Sequence, residues 1–348
     1  MKLDFNDLLI VPAVTSDIES RSEINPYYNN HLPIIAAPMD TVIDKHNIEI
    51  FESNRINYCI PRGSTFNPVS AKALGIMSFK SYGLDEFIAE FINSGVKYND
   101  DTRYILIDIA NGHMDKLSMA IKKFKDIYKD YYKLMVGNIA NPETYRLLSL
   151  MGADYIRIGI GNGNGCLTTQ QLGIGYPMGS LIQECYSIKQ GIASTGSTRF
   201  AKIVADGGMK GYSDIIKSLA LGADYVMVGS ILNKALDSAG PTYFMGIKIN
   251  QHSKYAKLLY ENGFKLKKKF RGMSTKEVQK SWNKGSLKTS EGVIRYRNTE
   301  YTIQGWVKNF TDYLKSAMSY TDKRTLLEFT GTPKIINITD NAYARYNK

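Results

Sequence analysis

Eight short apolar or β-branched segments recur along this chain at fairly regular spacing, with polar, helix-like stretches between them. They are PIIAA from Pro33, NYCI from Asn57, GIMSF from Gly75, YILIDI from Tyr104, KLMVGN from Lys133, DYIRIGIG from Asp154, AKIVAD from Ala201 and DYVMVGS from Asp224. Such runs are the pattern of repeated βα units whose strands form a parallel sheet buried on both faces. Eight of them favour a closed (β/α)8 barrel, the TIM barrel of the α/β class, over an open Rossmann sheet, and no GxGxxG follows the first. An internal echo supports repeated units: LLSLMGADYIRIGIG, ending at Gly161, resembles IKSLALGADYVMVGS, ending at Ser230. In each copy glycine closes a helix before a buried strand that runs into a glycine loop.

A length of 348 residues is compatible with two small domains or one large barrel, and 43% hydrophobic against 22% charged residues supplies a core and excludes a largely disordered chain. Cys59, Cys166 and Cys185 are too few and too scattered for a disulfide framework, which points to a reducing, cytoplasmic setting. MKLDFNDLLIVP carries acids within its apolar run and does not read as a secretory signal, and no stretch has the apolar length of a membrane span. Between Lys254 and Lys288 stand eleven Lys or Arg against Glu261 and Glu277. That run, within a basic flap region at 254–292, reads as solvated surface, and specific nucleic-acid binding is not expected from it. Beyond it lie SEGVIRYRNTEYTIQGW, a helix-like segment from Trp306 to Met318 and a polar tail. These are too poor in apolar residues for a core of their own and are expected to close the barrel, so that 1–348 forms one catalytic domain.

In a barrel the chemistry lies after the carboxyl ends of the strands. After the sixth segment comes GIGNGNGCLTT, Gly159 to Thr169. Gly161, Gly163 and Gly165 let main-chain groups approach a phosphate or an ion, and Cys166 at the loop's end is a candidate nucleophile, set against the plain reading of an inert thiol. After the seventh and eighth segments, DGGMKG from Asp206 and Gly229–Ser230 occupy the usual phosphate positions of such barrels. Asp206 is suited to sugar hydroxyls, and Gly207, Gly208, Gly229 and Ser230 offer backbone amides. Alone, each is no more than a turn.

Taken with APMDTV (Ala37–Val42), FRGMS (Phe270–Ser274) and SEG (Ser290–Gly292), these loops resemble the IMP dehydrogenase and GMP reductase family, in order, from LDFNDLLIVP to about Tyr320. The resemblance implies a (β/α)8 barrel, usually a homotetramer, that binds a purine nucleotide monophosphate and a nicotinamide cofactor. It implies Cys166 as the nucleophile toward purine C2, with Thr168 beside it and Glu291 supporting proton transfer. Met39, Asn138, Asn164, Asp206, Gly207, Gly208, Gly229, Ser230, Arg271, Gly272 and Met273 fall on nucleotide contacts. Asp108, Ala110 and Asn111 of IDIANG, with Ser316 and Tyr320, fall on the cofactor side. Carbonyls of Gly161, Gly163 and Cys166 match the loop that holds potassium in family members that bind it.

Both activities of the family pass through a covalent C2 adduct. The dehydrogenase hydrolyses it with an Arg-Tyr pair between the RGM and EG motifs, and the 17 residues Ser274 to Ser290 contain neither Arg nor Tyr. The resemblance therefore implies the reductase, with NADPH. The alternatives are the dehydrogenase reaction, the same chemistry on a deoxy or modified purine nucleotide, and a catalytically silent barrel that binds a purine nucleotide or RNA through the Lys254–Lys288 surface. No CBS module fits in this length. The chain departs from the family in carrying Asn162 and Asn164 where proline and serine are usual, Pro61–Arg62 for a His-Lys dipeptide, and DYLKS, Asp312 to Ser316, for GGLRS.

Overall fold

The eight apolar segments of the sequence become eight parallel strands that close on themselves. The structure, a computed structural model, describes residues 1–66, 75–95, 98, 103–197, 200–272, 275 and 292–346. Its barrel strands are β2 (Ile34–Ala36), β3 (Asn57–Ile60), β4 (Ser78–Tyr82), β5 (Tyr104–Asp108), β6 (Lys133–Ile139), β7 (Tyr155–Ile158), β8 (Lys202–Asp206) and β9 (Tyr225–Val228), preceded by a short β1 (Leu8–Ile10). Each barrel strand pairs with the next, and β2 closes on β9 through Ile34↔Val226 and Ala36↔Val228. Only the third segment is displaced. GIMSF predicts a strand from Gly75, whereas β4 starts at Ser78 and continues into Lys80, Ser81 and Tyr82. The apolar Ile76 and Met77 are buried in the approach to the strand, and Met77 N–H donates to the buried Asn57 side chain (3.0 Å).

Alternation along the strands sorts residues into two sets. Ile105, Ile107, Leu134, Val136, Ile156, Ile158, Ile203 and Val226 belong to the core between strands and helices. Ile35, Cys59, Phe79, Leu106, Met135, Val204 and Met227 fill the barrel's interior, with Tyr104, Tyr155 and Tyr225 against them near the strand starts. The covering helices include Asp115–Tyr128, Pro142–Leu150, Met178–Ser194 and Tyr212–Ala220, and Ile303–Tyr320 follows the last barrel strand. The last of these is the helix expected at Trp306 to Met318. Its Trp306 stacks on Phe310 (centroids 5.3 Å apart) and on Tyr212 (5.7 Å).

The internal echo has a physical counterpart. Asp154 accepts the Leu134 N–H (2.7 Å) and pairs with Lys125 from the helix before β6 (2.5 Å). Asp224 accepts the Ile203 N–H (2.8 Å) and pairs with Lys189 from the helix before β8 (2.7 Å). Each aspartate thus clamps the start of its own strand to the start of the preceding strand and to that strand's helix. The second clamp is the more deeply buried, and burial pulls the Lys189 ammonium below its ordinary value despite Asp224.

Between β9 and the final barrel helix the chain builds a four-stranded antiparallel sheet, β10 (Thr242–Phe244), β11 (Ile247–Ile249), β12 (Lys267–Arg271) and β13 (Ile294–Asn298), in the order β11-β10-β12-β13. The basic region therefore begins as a helix, Lys254–Glu261, and a strand, with residues 276–291 outside those described. One of its lysines is not surface at all. Lys268 is fully buried, its ammonium held down to about 7 by burial, and donates to the carbonyls of Ser238 (2.6 Å) and Gly240 (3.4 Å). The polar tail forms β14 (Ile335–Asn337), which pairs antiparallel with β1. No helix among the described residues is long and apolar enough to cross a membrane, and all three cysteines are free thiols.

Removing one buried partner of an ion pair leaves the other uncompensated. Asp224→Ala is expected to cost about 3–5 kcal/mol in denaturant unfolding, and Asp154→Ala clearly less, because the Asp154 side chain retains 19% of its exposure against 5% for Asp224. Equal losses would show that the two clamps are not graded by burial.

Candidate active site

The alternation that fills the barrel with apolar side chains places three charges at its carboxyl end. Asp108 continues the inward set of Tyr104 and Leu106, Arg157 follows Tyr155, and Asp206 follows Val204. Arg157 donates from Nη1 to Asp108 Oδ1 (2.6 Å) and from Nη2 to Asp206 Oδ2 (2.9 Å), with its side chain 8% exposed. In the sheet, Gly137 lies between Asp108 and Arg157. A Cβ there would stand 2.5 Å from the Arg157 Cβ, so the glycine leaves the guanidinium its path to Asp108. Burial works against the Arg157 charge, but the attraction of Asp206 and Asp108 outweighs it and holds the guanidinium above its ordinary value. Cys59, also inside the barrel, is pushed up by burial and is a neutral thiol. Asn138, which follows Gly137, donates to both Gly159 O and Asp206 Oδ2 (2.8 Å each).

Above this layer the loops after β7, β8 and β9 meet with almost no space between them. A Cβ on Gly207 would be 3.0 Å from Gly163 N, one on Gly229 would be 2.7 Å from Met39 Sδ, and one on Gly161 would be 1.8 Å from Thr169 Oγ1. The loop turns back on itself through a Cys166 N–H bond to Gly163 O (2.9 Å). Cys166 is half-buried, and its Sγ lies 3.1 Å from Thr168 Oγ1, at the start of the helix Thr168–Leu172. The two asparagines that depart from the family pattern tie the loop down. Asn164 Nδ2 donates to Ser230 Oγ (3.0 Å) and Asn162 Nδ2 to Tyr176 O (3.2 Å).

The accessory sheet delivers a further wall. Cys166 forms an antiparallel bridge with Gly292, Val293 N–H donates to Gly165 O (3.1 Å), and Gly272 N–H donates to Val293 O (3.0 Å). Arg271 is paired with Asp40 of the loop after β2, which fastens the end of β12 over the barrel mouth. Beside Asp108, Asn111 Oδ1 accepts the His113 N–H (3.0 Å), and His113 bridges Thr144 Oγ1 (2.9 Å) and Ala140 N–H (3.1 Å). Burial lowers the His113 ring below its usual value, so Nε2 accepts from Ala140 and Nδ1 donates to Thr144.

Of the residues singled out in the sequence, Met39, Asp108, Ala110, Asn111, Asn138, Gly161, Gly163, Asn164, Cys166, Thr168, Asp206, Gly207, Gly208, Gly229, Ser230, Arg271 and Gly272 come together at this mouth. Met273 and Glu291 lie outside the described residues. Ser316 and Tyr320 do not join the others. They end a helix that runs back from the mouth, where Ile303 N–H is held by Asp237, to the far end of the barrel. There Ser316 Oγ accepts from Arg21 (3.2 Å) and Tyr320 O from Ala13 N–H (2.9 Å). Sequence reasoning missed Arg157, although a lone charge of inward parity in an apolar strand was a readable signal. Arg62, which replaces the family lysine, pairs with Glu86 (3.2 Å) and lies against Gly83.

Comparison with known proteins follows the same outline. The model of the IMP dehydrogenase / GMP reductase domain matches residues 96–346. A GMP reductase of Buchnera aphidicola is 30% identical, the alignment covering 100% of this chain and 97% of that protein. One of Phytophthora infestans is 29% identical (97% and 91% covered), and GMP reductase 2 of Homo sapiens is 28% identical (97% and 95%).

Gly272→Ala would force a Cβ to within 2.2 Å of Gly165 O. It is expected to lower stability by about 1–3 kcal/mol and to change the alkylation rate of Cys166, whereas Gly191→Ala, in open space on a helix, is neutral or stabilising. Thermal melts with iodoacetamide labelling compare the two, and an unperturbed Cys166 in Gly272→Ala would refute the contact.

Proposed function

The chain belongs to the IMP dehydrogenase / GMP reductase family, and on that premise we propose that it is an NADPH-dependent GMP reductase, converting GMP to IMP and ammonia. The observation that carries this reading is the Cys166–Thr168 pair, 3.1 Å apart, in a loop packed against two glycine loops at the barrel mouth. The absence of Arg and Tyr between Ser274 and Ser290 favours reductase over dehydrogenase, as do the relatives that carry the reductase name.

In this reading the Cys166 thiolate adds to purine C2. Thr168 and Glu291 deliver the proton with which the C2 amino group departs as ammonia, leaving C2 bonded to sulfur. A reduced nicotinamide, when bound beside Asp108, Ala110 and Asn111, would supply the hydride that this carbon takes up. The carbon–sulfur bond then breaks, its electron pair returning to Cys166, and IMP is released. Asp206 holds the ribose hydroxyls through Oδ1, which no protein group occupies among the described residues, because Arg157 and Asn138 both bind Oδ2. Gly207, Gly208, Gly229 and Ser230 offer amides to the phosphate, with Asn164 positioned by Ser230. Met39, Arg271, Gly272 and Met273 border the base, and Asp108, Ala110 and Asn111 border the nicotinamide.

A potassium ion, where one binds, would be held by the main-chain carbonyls of Gly161, Gly163 and Cys166. The loop fits carbonyl donors, having no room for a side chain at Gly161, and Gly163 O shares itself with Cys166 N–H. Ser316 and Tyr320, remote from Cys166 of their own chain, serve a neighbouring copy in a homotetramer. The whole chain acts as one cytoplasmic catalytic unit, with 254–292 as its flap.

Purified protein given GMP and NADPH is expected to lose nicotinamide absorbance as IMP and ammonia form, while IMP with NAD gives no NADH. Cys166→Ala should abolish turnover, by at least about three orders of magnitude, and still bind GMP. NADH formation from IMP would make the protein a dehydrogenase, and undiminished turnover in Cys166→Ala would remove the nucleophile.

A further inference from the structure

We propose that Arg157 is a positioning residue that couples the two ligand sites, so that a bound purine nucleotide raises the affinity for the nicotinamide cofactor and the reverse. This rests on the reading above in which Asp206 serves the nucleotide ribose and Asp108 the nicotinamide side. The geometry is that of a single rigid fork. One guanidinium nitrogen is committed to Asp108 Oδ1 (2.6 Å) and the other to Asp206 Oδ2 (2.9 Å). Among the described residues, Asp108 Oδ2 and Asp206 Oδ1 accept no protein hydrogen bond, so each carboxylate has one oxygen for a ligand and one for the arginine.

The fork is planar, so the angle between its two nitrogens is fixed and fixing either carboxylate fixes the plane of the other's donor. A ligand that pins Asp206 restricts the residual motion of Arg157 and, through it, of Asp108, so the second ligand meets a carboxylate that is already held more tightly. Among the described residues, no other acceptor in the barrel takes a hydrogen bond from the arginine. Its Nε is buried without a partner, and the third inward neighbour, Cys59, is a neutral thiol. Gly137 keeps the lane between Arg157 and Asp108 free of side-chain atoms. Lysine at this position is a point charge and cannot hold both carboxylates in one plane. Asn138 touches Asp206 (2.8 Å) through a separate bond and is not part of the link.

The test uses the full chain with GMP and oxidised NADP+, a pair between which no hydride can pass. Calorimetry gives the NADP+ dissociation constant with and without saturating GMP, and the GMP constant with and without NADP+. By linkage the two ratios are equal. Wild type is expected to show a ratio of about five or more, Arg157→Lys a ratio within about twofold of unity, and Asn138→Ala weaker GMP binding with the wild-type ratio. Asp108→Asn, which keeps the acceptor and removes the charge, tests the link from the other end should Arg157→Lys fail to fold, and its ratio should also fall. A wild-type ratio of one, or an Arg157→Lys protein that binds both ligands less well with its ratio intact, would overturn the coupling and leave Arg157 a structural residue. A wild-type protein that binds neither GMP nor NADP+ would instead overturn the functional reading on which the coupling stands.

Discussion

A closed barrel admits one side chain in two to its interior, and the charged layer at this molecule's mouth follows from that restriction. Once Leu106, Tyr155 and Val204 face inward, Asp108, Arg157 and Asp206 have no choice but to face inward too, one step nearer the carboxyl end. An arginine enclosed by strands would be costly alone. Between two carboxylates, with a glycine beside it, it becomes the group that fixes where both carboxylates sit.

The second restriction is space. Loops after three successive strands, the end of β12 and Gly292 share a small volume, and they fit because the positions of nearest approach are glycines. Gly161 and Gly207 also take positive φ (82° and 90°), whereas Gly165 and Gly272 serve by being thin. Gly272 and Gly165 lie where any side chain would strike the opposing backbone. The cysteine is held from two sides, by its own loop through Gly163 and by the accessory sheet through the bridge to Gly292. A thiol positioned by main-chain contacts from separate elements does not depend on its own rotamer alone for its place.

Much of this was legible in the sequence, for identifiable reasons. Strands buried on both faces are apolar along most of their length, so all eight barrel segments stood out, and motif order carried Cys166, Asp206, Gly229 and their neighbours to the same end of the barrel. The misplacement of β4 came from its polar finish, Lys80-Ser81-Tyr82, and from apolar residues buried ahead of it. The accessory sheet was hidden because KKKFR reads as solvated charge, while in the fold Lys268 lies inside, donating hydrogen bonds to backbone carbonyls. The far-end placement of Ser316 and Tyr320 was hidden for another reason. A linear match says that a residue corresponds to another and nothing about which end of a helix faces the mouth.

The pairing of β1 with β14 ties residues 8–10 to residues 335–337. During synthesis from the amino end, at about 5–20 residues per second, β1 waits on the order of tens of seconds for its partner. The barrel must likewise wait for β9 before β2 has a neighbour on its open side. A nascent chain of this kind carries two unsatisfied strand edges for most of its time on the ribosome, and they belong to its oldest segments. Its vulnerability to mispairing is therefore greatest until β9 emerges, while both edges are open, and afterwards rests on β1 alone until β14 is made.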